Sequence, residues 1–161
     1  MIRVLIAEDH GIVRAGLLQL LVNAADMEVV GLAARGVDAV ELARATRPDV
    51  VLMDLAMPDL DGIEATGAIA EMAPQVRVLI LTAFSDGPYV LAALDAGAAG
   101  YLLKDCDPDA LYGAIRAIHR GEAPLAPQAA SVVLAACRHD HAPIRPRRRP
   151  VAALRPKFSA R

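Results

Sequence analysis

Five short apolar runs recur along this chain at a spacing that leaves room for a helix between each pair. Residues 2–7, 27–33, 50–53, 76–81 and 101–103 are too short for core helices, and most are too continuously apolar for strands with one wet face. Helical stripes separate them. Residues 10–24 place Val13, Leu17, Leu20, Leu21 and Ala24 on one face, and further helices are expected over 36–46, 61–72, 86–97 and 107–121. The last of these aligns Leu111, Ile115 and Ile118. Strands buried on both faces and joined by helices form a parallel sheet with right-handed crossovers. The pattern therefore predicts an α/β fold, a doubly wound five-stranded parallel sheet.

Punctuation agrees with the periodicity. Arg47-Pro48 stops the second helix and Pro74 the third, because the residue before a proline is pushed out of the helical region. Asp61, Asp86 and Asp107 stand at N-cap positions, with Pro108 in the first turn of the last helix, and Asp59 reads as a turn residue. The 161 residues suit one domain with a tail. Aromatic residues make up only 3% of the chain, so the core must come from Leu, Val, Ile and Ala. No apolar stretch approaches the roughly 20 residues needed to cross a bilayer. Glu8 and Asp9 interrupt the N-terminal run, which argues against a signal peptide. Two cysteines, Cys106 and Cys137, make no disulfide framework and fit a reducing cytoplasm.

Charge is unevenly spread. Residues 1–137 hold 9 Lys and Arg against 18 Asp and Glu, whereas residues 138–161 hold 8 against 1. An acidic domain thus precedes a basic tail. Residues 123–137 read as a linker with an Ala-rich helix over 126–136. Residues 138–161, with four prolines and the run Arg147 to Arg149, read as disordered. Such a tail holds no recognition helix and would touch DNA only non-specifically.

Acids at the ends of the apolar runs carry the chemistry. The first run leads into Glu8-Asp9, the third into Asp54, the fourth into Thr82 and the fifth into Lys104. In an open α/β sheet these carboxyl ends share one edge, where ligands bind. Clustered carboxylates stay ionised only around a cation, and hard oxygen ligands suit Mg²⁺. A carboxylate is also a nucleophile able to form an aspartyl-phosphate, with Lys104 and Thr82 placed to hold phosphoryl oxygens.

The strings VLIAEDH, DVVLMDLAMPDLDG, VLILTAF and GAAGYLLKD carry these residues. Together they resemble the receiver domain of two-component response regulators, and GAAGYLLKD is similar to the NarL/LuxR-type subfamily. The resemblance covers about residues 1–122 and implies a flavodoxin-like sheet of strand order 2-1-3-4-5. It implies that Asp54 accepts a phosphoryl group from a sensor histidine kinase. It also implies Mg²⁺ bound by Asp9 directly, by Glu8 through water, by Asp54 and by the backbone carbonyl of Ala56. Thr82 and Lys104 would hold the phosphoryl group, and Tyr101, at the aromatic switch position, would rotate inward when Thr82 moves. Activation would alter residues 86–120, a surface that commonly dimerises in this family.

NarL/LuxR-type regulators continue into a helix-turn-helix domain and regulate transcription, but no such pattern fits residues 138–161. The reading is a signalling switch that is not an enzyme, a phosphoacceptor with at most slow self-dephosphorylation, either a stand-alone receiver acting by protein contact or one separated from its effector. The rival is a phosphohydrolase similar to the haloacid dehalogenase superfamily. That superfamily wants a general acid two residues after the nucleophile, where this chain has Ala56. His10 reads as an exposed helix-start residue. The soft-ligand string from Cys137 to His141 finds no partner elsewhere to complete a metal site.

Overall fold

The computed structural model describes residues 1–139. Its elements alternate: β1 (Ile2–Ala7), α1 (Gly11–Val22), β2 (Met27–Ala33), α2 (Gly36–Thr46), β3 (Val50–Met53), α3 (Gly62–Met72), β4 (Arg77–Thr82), α4 (Gly87–Asp95), β5 (Gly100–Leu103), α5 (Pro108–His119) and α6 (Pro127–His139). All five strands are parallel, in the order β2-β1-β3-β4-β5. The doubly wound fold expected from the sequence is present. The basic tail lies outside the described residues from residue 140 onward, while Arg138 and His139 close the last turn of α6.

Alternation along the strands builds two cores. Val4, Ile6, Leu52, Leu79 and Leu81 meet Leu21 of α1 and Leu111, Ile115 and Ile118 of α5. Leu5, Val51, Met53, Val78 and Ile80 point the other way, toward Ala43, Ile63, Ile69 and Val90 of α2, α3 and α4. The α5 stripe is buried as expected, but the α1 stripe is buried only in its second half. Leu21 is fully covered, whereas Val13 remains 36% exposed. The first turn of α1 abuts the loop after β1 rather than strand side chains, and Arg14 there donates to the Glu8 carbonyl at 2.9 Å.

Three caps behave differently. Asp61 accepts from the amides of Ile63 and Glu64, both at 3.0 Å, and so satisfies two orphan donors of α3. Asp86 and Asp107 occupy the N-cap positions of α4 and α5 with extended backbones, but neither side chain makes the capping bond. Proline in the first turn of each helix fixes φ and removes one donor that would otherwise need a partner.

The loop between β3 and α3 is held against two glycines. A Cβ on Gly62 would lie 2.1 Å from the Asp54 carbonyl oxygen, and one on Gly36 would lie 1.7 Å from that of Leu60. Asp59, between them, takes the left-handed conformation at φ 67°. All described peptide bonds are trans, Lys104–Asp105 included.

Candidate functional site

Four of the five strands, β1, β3, β4 and β5, deliver side chains to the carboxyl edge. The Glu8 amide donates to Ala33 at 2.9 Å and the Asp54 amide to Ala7 at 3.0 Å, which extends the β1–β2 and β1–β3 ladders to the acids themselves. The Lys104 amide donates to the Thr82 carbonyl at 2.8 Å and does the same for β4 and β5. Glu8, Asp54 and Thr82 are therefore fixed by backbone and buried, at 1%, 3% and 0% exposure.

Lys104 Nζ lies 2.6 Å from Glu8 Oε1 and 3.2 Å from Asp54 Oδ2, so one ammonium bridges both buried carboxylates. Asp9 is more open and meets His10 Nδ1 at 3.1 Å. Glu8 Oε2 accepts from the His10 amide at 3.1 Å and lies 3.2 Å from its ring Nδ1. His10 is an exposed helix-start residue as expected, but it also touches both acids, which the sequence reading missed. Its adjacency to the acid pair was the available signal.

These contacts split the acids. Burial pushes Asp54 up, Glu8 adds to the rise, and Lys104 with the Ala56 amide opposes it, leaving a pKa of about 6. Burial also acts on Glu8, yet the Lys104 ammonium and the His10 amide hold its carboxyl below the ordinary range. Asp9 is raised by burial and by the neighbouring Glu8. Burial lowers Lys104, but its two carboxylate partners outweigh that and raise it. Asp54 binds its proton more tightly in the fold than in the unfolded chain. Its contribution to stability therefore falls as pH rises from 3.8 through about 6. In metal-free buffer near pH 8, Asp54→Asn should stabilise the protein by on the order of 1–2 kcal/mol, and the gain should vanish near pH 4. Thermal melts across pH measure this; a destabilised variant at the higher pH would contradict it.

The donor set suits a hard divalent cation. Glu8, Asp9, His10 and Asp54 each offer a ligand atom, all within 4.8 Å of one another. Opposite ligands of an octahedral Mg²⁺ stand about 4.2 Å apart, so not all four fit directly, and Mg²⁺ usually keeps waters that bridge such gaps. The Ala56 amide favours the ionised form of Asp54, placing this residue's backbone beside the acid. Thr82 Oγ1 is buried with no hydrogen-bond partner, an expensive state for a hydroxyl unless a ligand satisfies it. Tyr101 is fully buried, and its hydroxyl donates to the Phe84 carbonyl at 2.5 Å. The ring that was expected to rotate inward on activation is already inside in this structure. Of the string from Cys137 to His141, only Cys137, Arg138 and His139 are among the described residues, and they join no metal-ligand group there.

A 2-1-3-4-5 sheet with acids and a lysine gathered at its carboxyl edge defines a receiver-type domain. Residues 4–116 match the response regulator receiver domain family, and the chain belongs to it. Curated relatives include the transcriptional regulatory protein YhcZ of Bacillus subtilis (strain 168), 40% identical over 88% of this chain and 65% of that protein. Response regulator protein VraR of Staphylococcus aureus (strain COL) is 42% identical over 79% of this chain and 61% of that protein. The chain thus spans less than two thirds of either relative. Among solved structures, a LuxR-family two-component response regulator from Aurantimonas sp. SI85-9A1 matches with TM-score 0.79 and 38% identity, over 86% of this chain and 98% of that one. The isolated REC domain of RcsB from Salmonella enterica serovar Typhimurium, solved with the phosphomimetic BeF3-, matches with TM-score 0.73 and 26% identity, over 81% of this chain and 97% of that one. Receiver domains bind Mg²⁺ at an acidic pocket, and this chain has such an acidic cluster. Among the described residues no helix is long and apolar enough to cross a membrane.

Proposed function

We propose that this chain is a phosphorylation-activated signalling switch in a two-component phosphorelay, with Asp54 as its acceptor. The observation that carries the reading is a buried carboxylate bridged to Glu8 by Lys104 at 3.2 and 2.6 Å, at the edge where ligands enter such sheets. An Asp54 carboxylate oxygen attacks the phosphorus of a phosphohistidine on a sensor histidine kinase. The P–N bond breaks, and the leaving imidazole keeps the electron pair and takes up a proton. Glu8, Asp9, Asp54 and the Ala56 carbonyl are the groups that would hold Mg²⁺, which when bound neutralises charge on the carboxylates and phosphoryl oxygens. Lys104 and the unpartnered Thr82 hydroxyl take the remaining phosphoryl oxygens. The RcsB REC domain, a relative solved with a phosphomimetic, supports a phosphoryl group as the natural occupant.

Ala56 stands where a hydrolase would want its general acid, so the phosphoryl group leaves at most by slow self-dephosphorylation. The output is a changed surface over residues 86–120, which serves self-association and, with an effector, transcription regulation in the cytoplasm. The test is incubation with acetyl phosphate and Mg²⁺ followed by intact mass. Wild type should gain one phosphoryl group, and Asp54→Asn should gain none. An adduct that persists on the variant would move the acceptor elsewhere.

A further inference from the structure

The lateral edge of β5 is taken up by the chain itself. The Tyr101 amide donates to the Pro124 carbonyl at 3.0 Å, and the Ala126 amide donates to the Tyr101 carbonyl at 2.8 Å. Beyond them Val132 and Val133 of α6 pack against the core. Open ligand atoms gather instead at the turn between β1 and α1. His10 stands there at the N-cap of α1 with an exposed ring, and no side-chain capping bond ties that ring to the helix. The ring faces the acids: Nδ1 lies 3.1 Å from Asp9 Oδ1 and 3.2 Å from Glu8 Oε2. The turn does not need the ring for its shape, because the His10 amide makes its own bond to Glu8 Oε2 at 3.1 Å.

Neighbouring corners of an octahedral coordination sphere, each roughly 2.1 Å from the ion, stand about 3.0 Å apart. Nδ1 thus already keeps ligand spacing from both acids, and an ion can join ring and carboxylate with little movement. In the neutral imidazole the proton can sit on Nε2, which leaves the Nδ1 lone pair for a metal. Apart from the ring contact, Asp9 Oδ1 is buried with no hydrogen-bond partner, so an ion there satisfies it. Glu8 is the acid placed to act through water, since Lys104 Nζ already stands 2.6 Å from its Oε1. His10, Asp9 and Asp54 remain as direct donors beside the Ala56 carbonyl. A ring that only donated its N–H to the acids would sit at the same distances, and metal selectivity separates the two roles. Imidazole suits first-row transition metals, whereas Mg²⁺ prefers oxygen. We propose that His10 is a direct ligand of the acidic cluster through Nδ1, and that its nitrogen gives the site a selectivity for transition-metal dications such as Co²⁺ that the carboxylates alone do not reach. This rests on the metal-binding reading of the cluster above.

The experiment compares the full chain with His10→Gln, which keeps a polar side chain and the backbone bond to Glu8 but removes the nitrogen ligand. Calorimetric titration gives the affinities for Co²⁺ and for Mg²⁺ separately. The Co²⁺-loaded protein is then read by proton NMR, where the exchangeable Nε2–H of a ligating ring is shifted far outside the ordinary range. Wild type should show that signal and bind Co²⁺ about tenfold more tightly than His10→Gln, while Mg²⁺ affinity changes less than about threefold. Asp9→Ala should lose both metals and the signal. Equal Co²⁺ affinity in wild type and His10→Gln, or a shifted signal that persists unchanged in the variant, overturns His10 as a ligand. An equal loss of both metals in His10→Gln makes the ring a holder of the acids and overturns it too. Wild type that binds neither metal, or binding that survives Asp9→Ala, sinks the metal reading of the cluster, and the ligand role falls with it.

Discussion

Lys104→Met should take up phosphoryl groups from acetyl phosphate about 10²–10³-fold more slowly than wild type, with little loss of fold. The methionine keeps the apolar stem and removes only the ammonium. That ammonium meets Glu8 at 2.6 Å and Asp54 at 3.2 Å, so its loss leaves two buried acids facing each other without a fixed positive charge. Asp54 then rises further above its already elevated pKa of about 6, and less of it is ionised to attack. The phosphoryl oxygens also lose a preorganised partner as negative charge moves onto them. Quench-flow with intact mass gives the rate, and circular dichroism gives the fold. Uptake within about threefold of wild type would remove Lys104 from the chemistry of the site.

Gly62→Ala should cost more than about 3 kcal/mol, lowering the melting temperature by roughly 10 °C or more. The added methyl would lie 2.1 Å from the Asp54 carbonyl oxygen and 2.7 Å from Leu55 Cα. Neither neighbour is a flexible side chain that can turn away. Either the first turn of α3 lifts, breaking the 3.0 Å bond from the Gly62 amide to the Leu55 carbonyl, or the end of β3 moves. Whichever gives, Asp54 moves relative to Lys104, so the surviving folded fraction should also phosphorylate poorly. Differential scanning calorimetry decides the first part; a melting temperature within a few degrees of wild type would show that the loop yields far more easily than its contacts indicate.

The sheet was legible because its strands are buried on both faces. Val50, Val51, Leu52 and Met53 must all be apolar, and that continuity is a local signal. The acids were legible for the opposite reason, as polar residues directly beyond such runs. What could not be read depends on contacts between residues distant in sequence. Nothing near Gly36 announces Leu60, and nothing near Tyr101 announces Pro124 and Ala126. The Val13 stripe misled because periodicity gives a face but not how far the facing sheet extends. Asp86 and Asp107 have the residue type of capping side chains, yet a proline in the first turn of α4 and of α5 removes one of the donors such a cap would serve. His10 was discounted because exposure and ligand contact were treated as exclusive, and at the mouth of a cluster they are compatible.

The two outer strands of the sheet meet different fates. Residues 124–126 take up the free side of β5, but among the described residues β2 pairs with β1 alone. An unfilled strand edge is a template for unrelated chains, and an open sheet of this order ends in two of them. On β2 the deterrent is charge: exposed Glu28 sits at the start of the strand, ahead of the apolar Val29 and Val30, while the neighbouring Asp26 is ion-paired with Arg116 at 2.8 Å. Intermolecular stacking is thus discouraged by the Glu28 carboxylate on one flank and by the chain's own returning segment on the other. Protection of the sheet edges is accordingly electrostatic at β2 and topological at β5.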